Sequence, residues 1–429
     1  MDRGHEDIRK ESSGRKKIKM MRTFHGFHRL GALFCALGLL TVSATSCNFL
    51  EMRDATSVLS AREETVAPTL QQAERKSEVE KKDDSAAAQQ SGANGTAAVT
   101  EEPFATVSLA ISGGIAADDN IRADAASRAR EGKEYSFLTL YSGVYPFIQN
   151  ADFAMTTLQG PVVEADPVDN EIPVEALPAL RELGFDLINV AGQYPLTNEG
   201  LSSTMAAVNA EGLTTIGAYS DSIDANDIRL YEKDGVTIAF LSFVETAPGG
   251  ENPVVPDLSD MTAVEATVTY ADLISDVVVV SVTWDADNNN RRPIAMQLAE
   301  AGADVIVGNG TKLEKAEWLD TEDGTKTFVA YSLGNLLSDG DTRSGILSGI
   351  LTMDIVASAD GSISLSDTAV HPIVTHYTDT GVGYQAMDMA QYTNELAAVH
   401  MVKGLTRTSL REEVGKVISS DFLPADITE

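Results

Sequence analysis

Across residues 104–377, short runs of β-branched and other apolar residues alternate with amphipathic stretches, and nothing else in the sequence constrains the fold as tightly. The runs FATVSLAI, DLINVA, VTIAFLSFV, VVVVSVTW, DVIVGN and TFVAYSLG have strand length. The stretches VEALPALRELG, LSSTMAAVNAEG and RRPIAMQLAEAGA lie between them. Strands that are apolar on both sides must be covered on both faces, and here helices alternate with them to provide the cover. The pattern therefore predicts an α/β sheet covered on both faces. With 43% hydrophobic residues among 429, the chain can fill a core of that size. The late runs ILSGILTMDIV and SISLSDTAV read as a hairpin turning at Asp360 and Gly361.

The flanks differ in character. Residues 1–47 hold a basic segment with Arg22 and Arg29, an apolar run over residues 30–40, and small residues ending in Cys47, the layout of a bacterial export signal. The apolar run is shorter than the roughly 20 residues that span hydrocarbon, so cleavage is expected, with a signal anchor as the alternative. Ala44, Thr45 and Ser46 precede Cys47 as in a lipoprotein box, although Ala44 stands where Leu is usual; an ordinary signal peptide remains the other reading. A lipid on Cys47 would hold the protein at the extracellular face of the cell membrane. Cys35 would leave with the signal, so the exported form has no thiol pair to oxidise and no Cys-based metal site.

Residues 48–102 are rich in Ala, Ser, Gln, Glu and Lys and read as a disordered tether. Residues 378–429 read as a small helical C-terminal extension. Beyond residue 46 the chain carries 23 Lys or Arg against 60 Asp or Glu, a net charge of −37. Such a surface excludes nucleic acid as a partner and repels anionic polymers at long range.

In a sheet of this kind the loops after the strand ends carry the site. Here they read ISGGIAADD, TLQGP, NVAGQYPLTNEG, VTWDADNNN, VGNGTKLEK and YSLGNLLSD. Together with FDLINVA, GAYSD, VTIAFLSF and AGADVIVGNG, and in this order, they resemble the bacterial capsule-synthesis family often called CapA, the poly-gamma-glutamate synthesis accessory proteins. The resemblance covers residues 103–377. It implies a fold related to calcineurin-like metallophosphoesterases, a layered β-sandwich flanked by helices, together with a cell-surface role in making or exporting an anionic polymer, and polymer synthase or export proteins as partners.

Motif by motif, the side chains of a divalent-metal site are missing. The family's Gly-Asp pair is Gly113 and Gly114, and its Asn-Leu-Glu is Thr157, Leu158 and Gln159. Its Asn-Asn-His is Gly192, Gln193 and Tyr194, and the Asp that follows falls near Thr197. Its Ser-x-His-Trp-Gly survives as Ser281, Thr283, Trp284 and Asp285, and its Gly-His-His-Pro-His as Gly308, Asn309, Gly310, Thr311 and Lys312. A metal that activates water needs carboxylates and neutral imidazoles. Only His371, His376 and His400 follow Cys47, all beyond these loops. The expectation is a pseudoenzyme without a cofactor, with a metal-dependent hydrolase or phosphoesterase that uses a remodelled oxygen-only site as the alternative.

The cleft candidates are Gly114, Asp118, Asp119, Gln159, Gln193, Tyr194, Thr283, Trp284, Asp285, Asp287, Asn288, Asn309, Lys312 and Asn335. Asp285 and Asp287 could hold Ca2+ or Mg2+ through oxygen ligands alone, although WDADNNN lacks the Gly and distal Glu of a Ca2+ loop. Asn335 is expected to support a turn. Trp284 is expected to pack at the cleft mouth, with a sugar-stacking platform as the alternative. A neutral hydrogen-bonding pocket for a polymer or solute is the third reading. No GxSxG elbow occurs, and Ser348 has no His beside it in the strand-end loops.

Overall fold

The computed structural model describes residues 104–130, 132–194, 197–248, 253–285, 288 and 290–428. The expected export signal with Cys47, the expected tether and Asp287 lie outside these residues. Among the described residues no helix is long and apolar enough to cross a membrane.

The strands are β1 (Ala105–Ser112), β2 (Phe153–Thr157), β3 (Val162–Val163), β4 (Ile172–Pro173), β5 (Leu187–Asn189), β6 (Thr214–Ile216), β7 (Arg229–Lys233), β8 (Val236–Val244), β9 (Val277–Thr283), β10 (Val305–Asn309), β11 (Ala316–Asp320), β12 (Lys326–Ala330), β13 (Leu347–Ala357), β14 (Ile363–His376) and β15 (Gln385–Asp388). Two sheets carry the fold. The first runs β15-β14-β13-β1-β2-β5-β6 and the second β11-β12-β10-β9-β8-β7. Within them β1, β2, β5 and β6 pair in parallel, as do β8, β9, β10 and β12. The α/β class expected from the alternation and the layered sandwich implied by the resemblance are both observed.

Alternation along β9 shows how the layers form. Val277 and Val279 join a core that also takes Leu109 and Ile111 of β1, so they face the first sheet. Val278, Val280 and Val282 join a second core with Val264, Val268, Ala295 and Leu298, from helices Met261–Ile274 and Arg291–Glu300. Successive strand side chains point to opposite faces, so a strand apolar at every position is the one that can be buried twice. Helix Ala176–Leu183 stops at Gly184, whose φ of 104° suits a residue without Cβ. The expected hairpin pairs β13 with β14, with a register shift between Thr352 and Asp354.

Residues 378–429 contribute β15, which pairs with β14, and helices Asn394–Val399 and Arg407–Val414. They share the first core through Leu410, Val414 and Ile418. Phe422 packs edge-on against Phe328 of β12, with centroids 5.4 Å apart, and Phe328 meets Trp318 in the same way. This segment is part of the folded body.

Candidate functional site

The strand ends β2, β5, β8, β9 and β10 converge where the sequence places the altered motifs. A polar seam joins the two sheets there. Thr157 Oγ1 donates to Asn309 Oδ1 at 2.8 Å, and Asn309 Nδ2 donates to Ser281 Oγ at 2.9 Å and to Thr283 Oγ1 at 3.1 Å. Asn189 Nδ2 donates to Ser281 Oγ at 3.0 Å, and Asn189 Oδ1 accepts from Ser242 Oγ and from the Ala191 amide. Thr283 Oγ1 donates to the Ala191 carbonyl at 2.6 Å. All six side chains are buried. None of them titrates, so the seam is a neutral network whose donors and acceptors satisfy one another.

Beside the seam, the place of the expected carboxylate is occupied. A Cβ on Gly114 would lie 2.3 Å from Gln159 Nε2 and 2.7 Å from Gln159 Cγ, so the Gln159 side chain fills the space a residue at 114 would need. Gln159 Oε1 accepts from the Gln193 amide at 2.9 Å, which fixes that placement. Gln159 Nε2 and Asn335 Oδ1 are buried without a hydrogen-bond partner among the described residues. Asn335 pairs through its backbone with Gly114, after Gly334 at a φ of 71°. Gly308 is equally constrained: a Cβ there would meet the Tyr331 carbonyl at 2.0 Å and Trp284 Nε1 at 2.2 Å. Trp284 is 2% exposed and donates through Nε1 to that carbonyl at 3.0 Å. Its ring packs inward with the Arg291 guanidinium over it, and at the cavity edge it offers little surface as a stacking platform. Thr197 caps helix Asn198–Ala210 by accepting from the Gly200 amide.

These residues do not fit a catalytic divalent ion. The donors at the strand ends are amides and hydroxyls already paired with one another, whereas such an ion takes anionic or imidazole ligands. Among the described residues no three His, Cys, Asp or Glu come together as a ligand set. His371 and His376, five residues apart on β14, point to opposite faces. His371 bonds Thr352 Oγ1 and packs on Phe147; His376 Nδ1 bonds the Tyr392 hydroxyl at 2.8 Å. His376 instead meets His400, with ring centroids 5.6 Å apart.

The seam opens onto a cavity of about 390 Å³ bordered by Gln193, Tyr194, Thr246, Thr283, Trp284 and Asp285. Asp285 is exposed; its Oδ2 accepts from Thr246 Oγ1 at 2.7 Å and its amide donates to Glu245 Oε2. Asn288 Nδ2 donates to Glu245 Oε1. Lys312 is exposed on the loop after β10.

A carboxylate pair that sequence reading missed lies at the other end. Asp339 follows the YSLGN loop, and its amide points at Asp118 Oδ2, 3.4 Å away. Burial, and then the neighbouring Asp339 charge, push the Asp118 carboxyl up to about 6. Tyr194 feels both carboxylates, and its phenol is raised mainly by burial, so it links this pair to the cavity. Asp119 instead pairs with Arg122, whose guanidinium also donates to the carbonyls of Ala117, Asp169 and Glu171. Asp118 was legible as a cleft acid. Its partner, 221 positions away, was not, and neither was Asn189, whose only signal is one amide inside the apolar run DLINVA.

The family model described as bacterial capsule synthesis protein PGA_cap matches residues 108–340, from β1 to just past Asp339. The PGA biosynthesis protein CapA of Bacillus subtilis (strain 168) is 29% identical over 227 residues, which cover 48% of this chain and 58% of that protein. Among solved structures, a phosphatase from Mycoplasma pneumoniae aligns with a TM-score of 0.40 and 11% identity, over 63% of this chain and 94% of its own. The calcineurin-like phosphoesterase YfkN from Bacillus subtilis aligns with a TM-score of 0.38 and 12% identity, over 72% of this chain and 97% of its own.

Proposed function

The chain belongs to the bacterial capsule synthesis protein family, and we propose that it is a non-catalytic, surface-anchored member that assists the synthesis, binding or export of an anionic polymer of the poly-gamma-glutamate type. Family membership supports the polymer role. The absence of catalysis is supported chiefly by one observation: Gln159 occupies the space beside Gly114, in continuity with a seam of paired amides and hydroxyls. Water activation by a metal requires charged or imidazole ligands there, and neutral groups engaged with one another do not supply them. The export signal and Cys47 support attachment outside the cell membrane, with synthase or export proteins as partners.

Metal analysis and phosphoester hydrolysis assays on the purified full chain test the catalytic half of this reading. No metal-dependent turnover is expected with Mn2+, Zn2+, Mg2+ or Ca2+. Turnover that needs the ion and disappears in Asp285→Ala would overturn it. Deletion of the gene tests the other half: loss of surface polymer is expected, and unchanged polymer argues against the role.

A further inference from the structure

The cavity at the strand ends is bordered by Gln193, Tyr194, Val244, Thr246, Val255 and Asp285. Its lining among the described residues holds the carboxylate of Asp285, with Glu245 bonded to the Asp285 amide beside it, and no Lys, Arg or His. Arg291, just beyond, stacks over Trp284 at 5.9 Å and pairs with Glu314. A cavity with such a rim repels anions. The carboxylates of an anionic polymer are therefore not what it receives.

Glu245 and Asp285 at the mouth are employed differently. Both oxygens of Glu245 accept from within the loops, one from the Asp285 amide and one from Asn288 Nδ2, so Glu245 holds the rim in shape. Asp285 has Oδ2 engaged by Thr246, and no ion pair among the described residues reaches it. A single such carboxylate does not make the six-to-eight-oxygen shell that Ca2+ takes, but it suffices as counter-ion to one ammonium group. The walls behind it are aliphatic: Ala191, Leu201, Val244 and Val255. Tyr194 adds an aromatic side chain that favours a cation. A volume of about 390 Å³ is within the range of small-ligand pockets.

We infer that this cavity binds a primary ammonium group carried on a short aliphatic chain, with Asp285 as its counter-ion and the apolar walls around the methylenes. The inference goes beyond the polymer-handling reading and does not depend on it. Such a ligand is a free amine end or an amine-bearing side chain, and its chemistry is opposite in sign to the polymer's carboxylates.

Calorimetric titration of the purified full chain with n-butylammonium tests this, with n-butyrate and n-butanol as matched probes of opposite and zero charge. One saturable site for n-butylammonium is expected, at least about tenfold tighter than for either matched probe, and weakened by added salt. Asp285→Asn should lower that affinity about tenfold while the melting temperature stays unchanged, since Asp285 is exposed. Absence of saturable binding, equal binding of butyrate or butanol, or unaltered affinity in Asp285→Asn would each overturn the inference. Stoichiometric Ca2+ binding that displaces n-butylammonium would also overturn it, in favour of a metal site. None of these results bears on whether deletion of the gene removes the polymer, so the two proposals fail separately.

Discussion

The seam between the sheets and the polar groups around it hold their side chains by opposite means. In the seam, Thr157, Asn189, Ser242, Ser281, Thr283 and Asn309 are neutral and satisfy one another. Near the cavity and under the C-terminal segment the polar groups titrate: partly buried Asp118 beside Asp339, and buried His376 beside His400 and Tyr392. A neutral network contributes the same stability at every pH at which the chain is folded, whereas displaced carboxyl and imidazole groups make stability depend on pH. The strand ends, where the family motifs place charged ligands, are thus the pH-silent part of this molecule. The charge has moved outward.

The largest expected effect breaks the seam. Asn309→Leu removes the acceptor for Thr157, leaving that buried hydroxyl unpaired at about 1–3 kcal/mol, and the donor to Ser281 and Thr283, which keep their bonds to Asn189 and to the Ala191 carbonyl. A loss near 3 kcal/mol is expected by urea unfolding, and it should be the same at pH 5 and pH 8. A loss that varies with pH would mean the seam is coupled to a titrating group.

The titrating groups should behave in the contrary way, in two opposed senses. Burial, with a smaller contribution from the His400 charge, holds His376 down to about 4 against an ordinary 6.5. Its folded value lies below its unfolded one, so the unfolded chain takes up the proton first. The contribution of His376 is complete above pH 6.5 and is lost as pH falls toward 4. Asp118 is raised to about 6, so its contribution is present below its ordinary 3.8 and is lost as pH rises through 6. Comparing wild type with single variants separates the two. Asp118→Asn should stabilise the protein by on the order of 1–2 kcal/mol at pH 8, where it removes a partly buried charge facing Asp339, and by nearly nothing at pH 4. His376→Gln should flatten the loss of stability between pH 6.5 and 4. Parallel pH profiles for wild type and both variants would show that these groups are not the source.

Much of the fold was legible because strand burial leaves a direct mark on sequence. VVVVSVTW is apolar at nearly every position because β9 has a core on each face, and the alternation with helices implied a sheet covered on both sides. The altered motifs were legible residue by residue, and their loops do converge. What the sequence withheld is partnership. Gln159 reads as a neutral substitute for an anionic ligand, and only the packing shows it lying in the space vacated at Gly114. Trp284 stands at a loop mouth in sequence but turns its Nε1 inward to Tyr331. Asp118 and Asp339 meet because β1 and the loop after β12 end side by side, a long-range pairing that local pattern does not encode.

The smallest expected effect sharpens the boundary between the two regions. Gly114 has an ordinary negative φ, so Ala is conformationally allowed there, and the cost of Gly114→Ala comes from what the methyl meets. It meets Gln159, which cannot withdraw without giving up its bond to the Gln193 amide, a loss of about 1 kcal/mol. Gln159→Ala alone loses the same bond but opens the space, so adding Gly114→Ala to it should cost little. A double-mutant cycle by chemical denaturation should therefore show the pair less destabilised than the sum of the single variants, by about 1 kcal/mol. Simple additivity would mean that Gln159 does not stand in for the missing side chain. In that case the space at Gly114 would be open, and the case against a charged ligand site there would lose its main support.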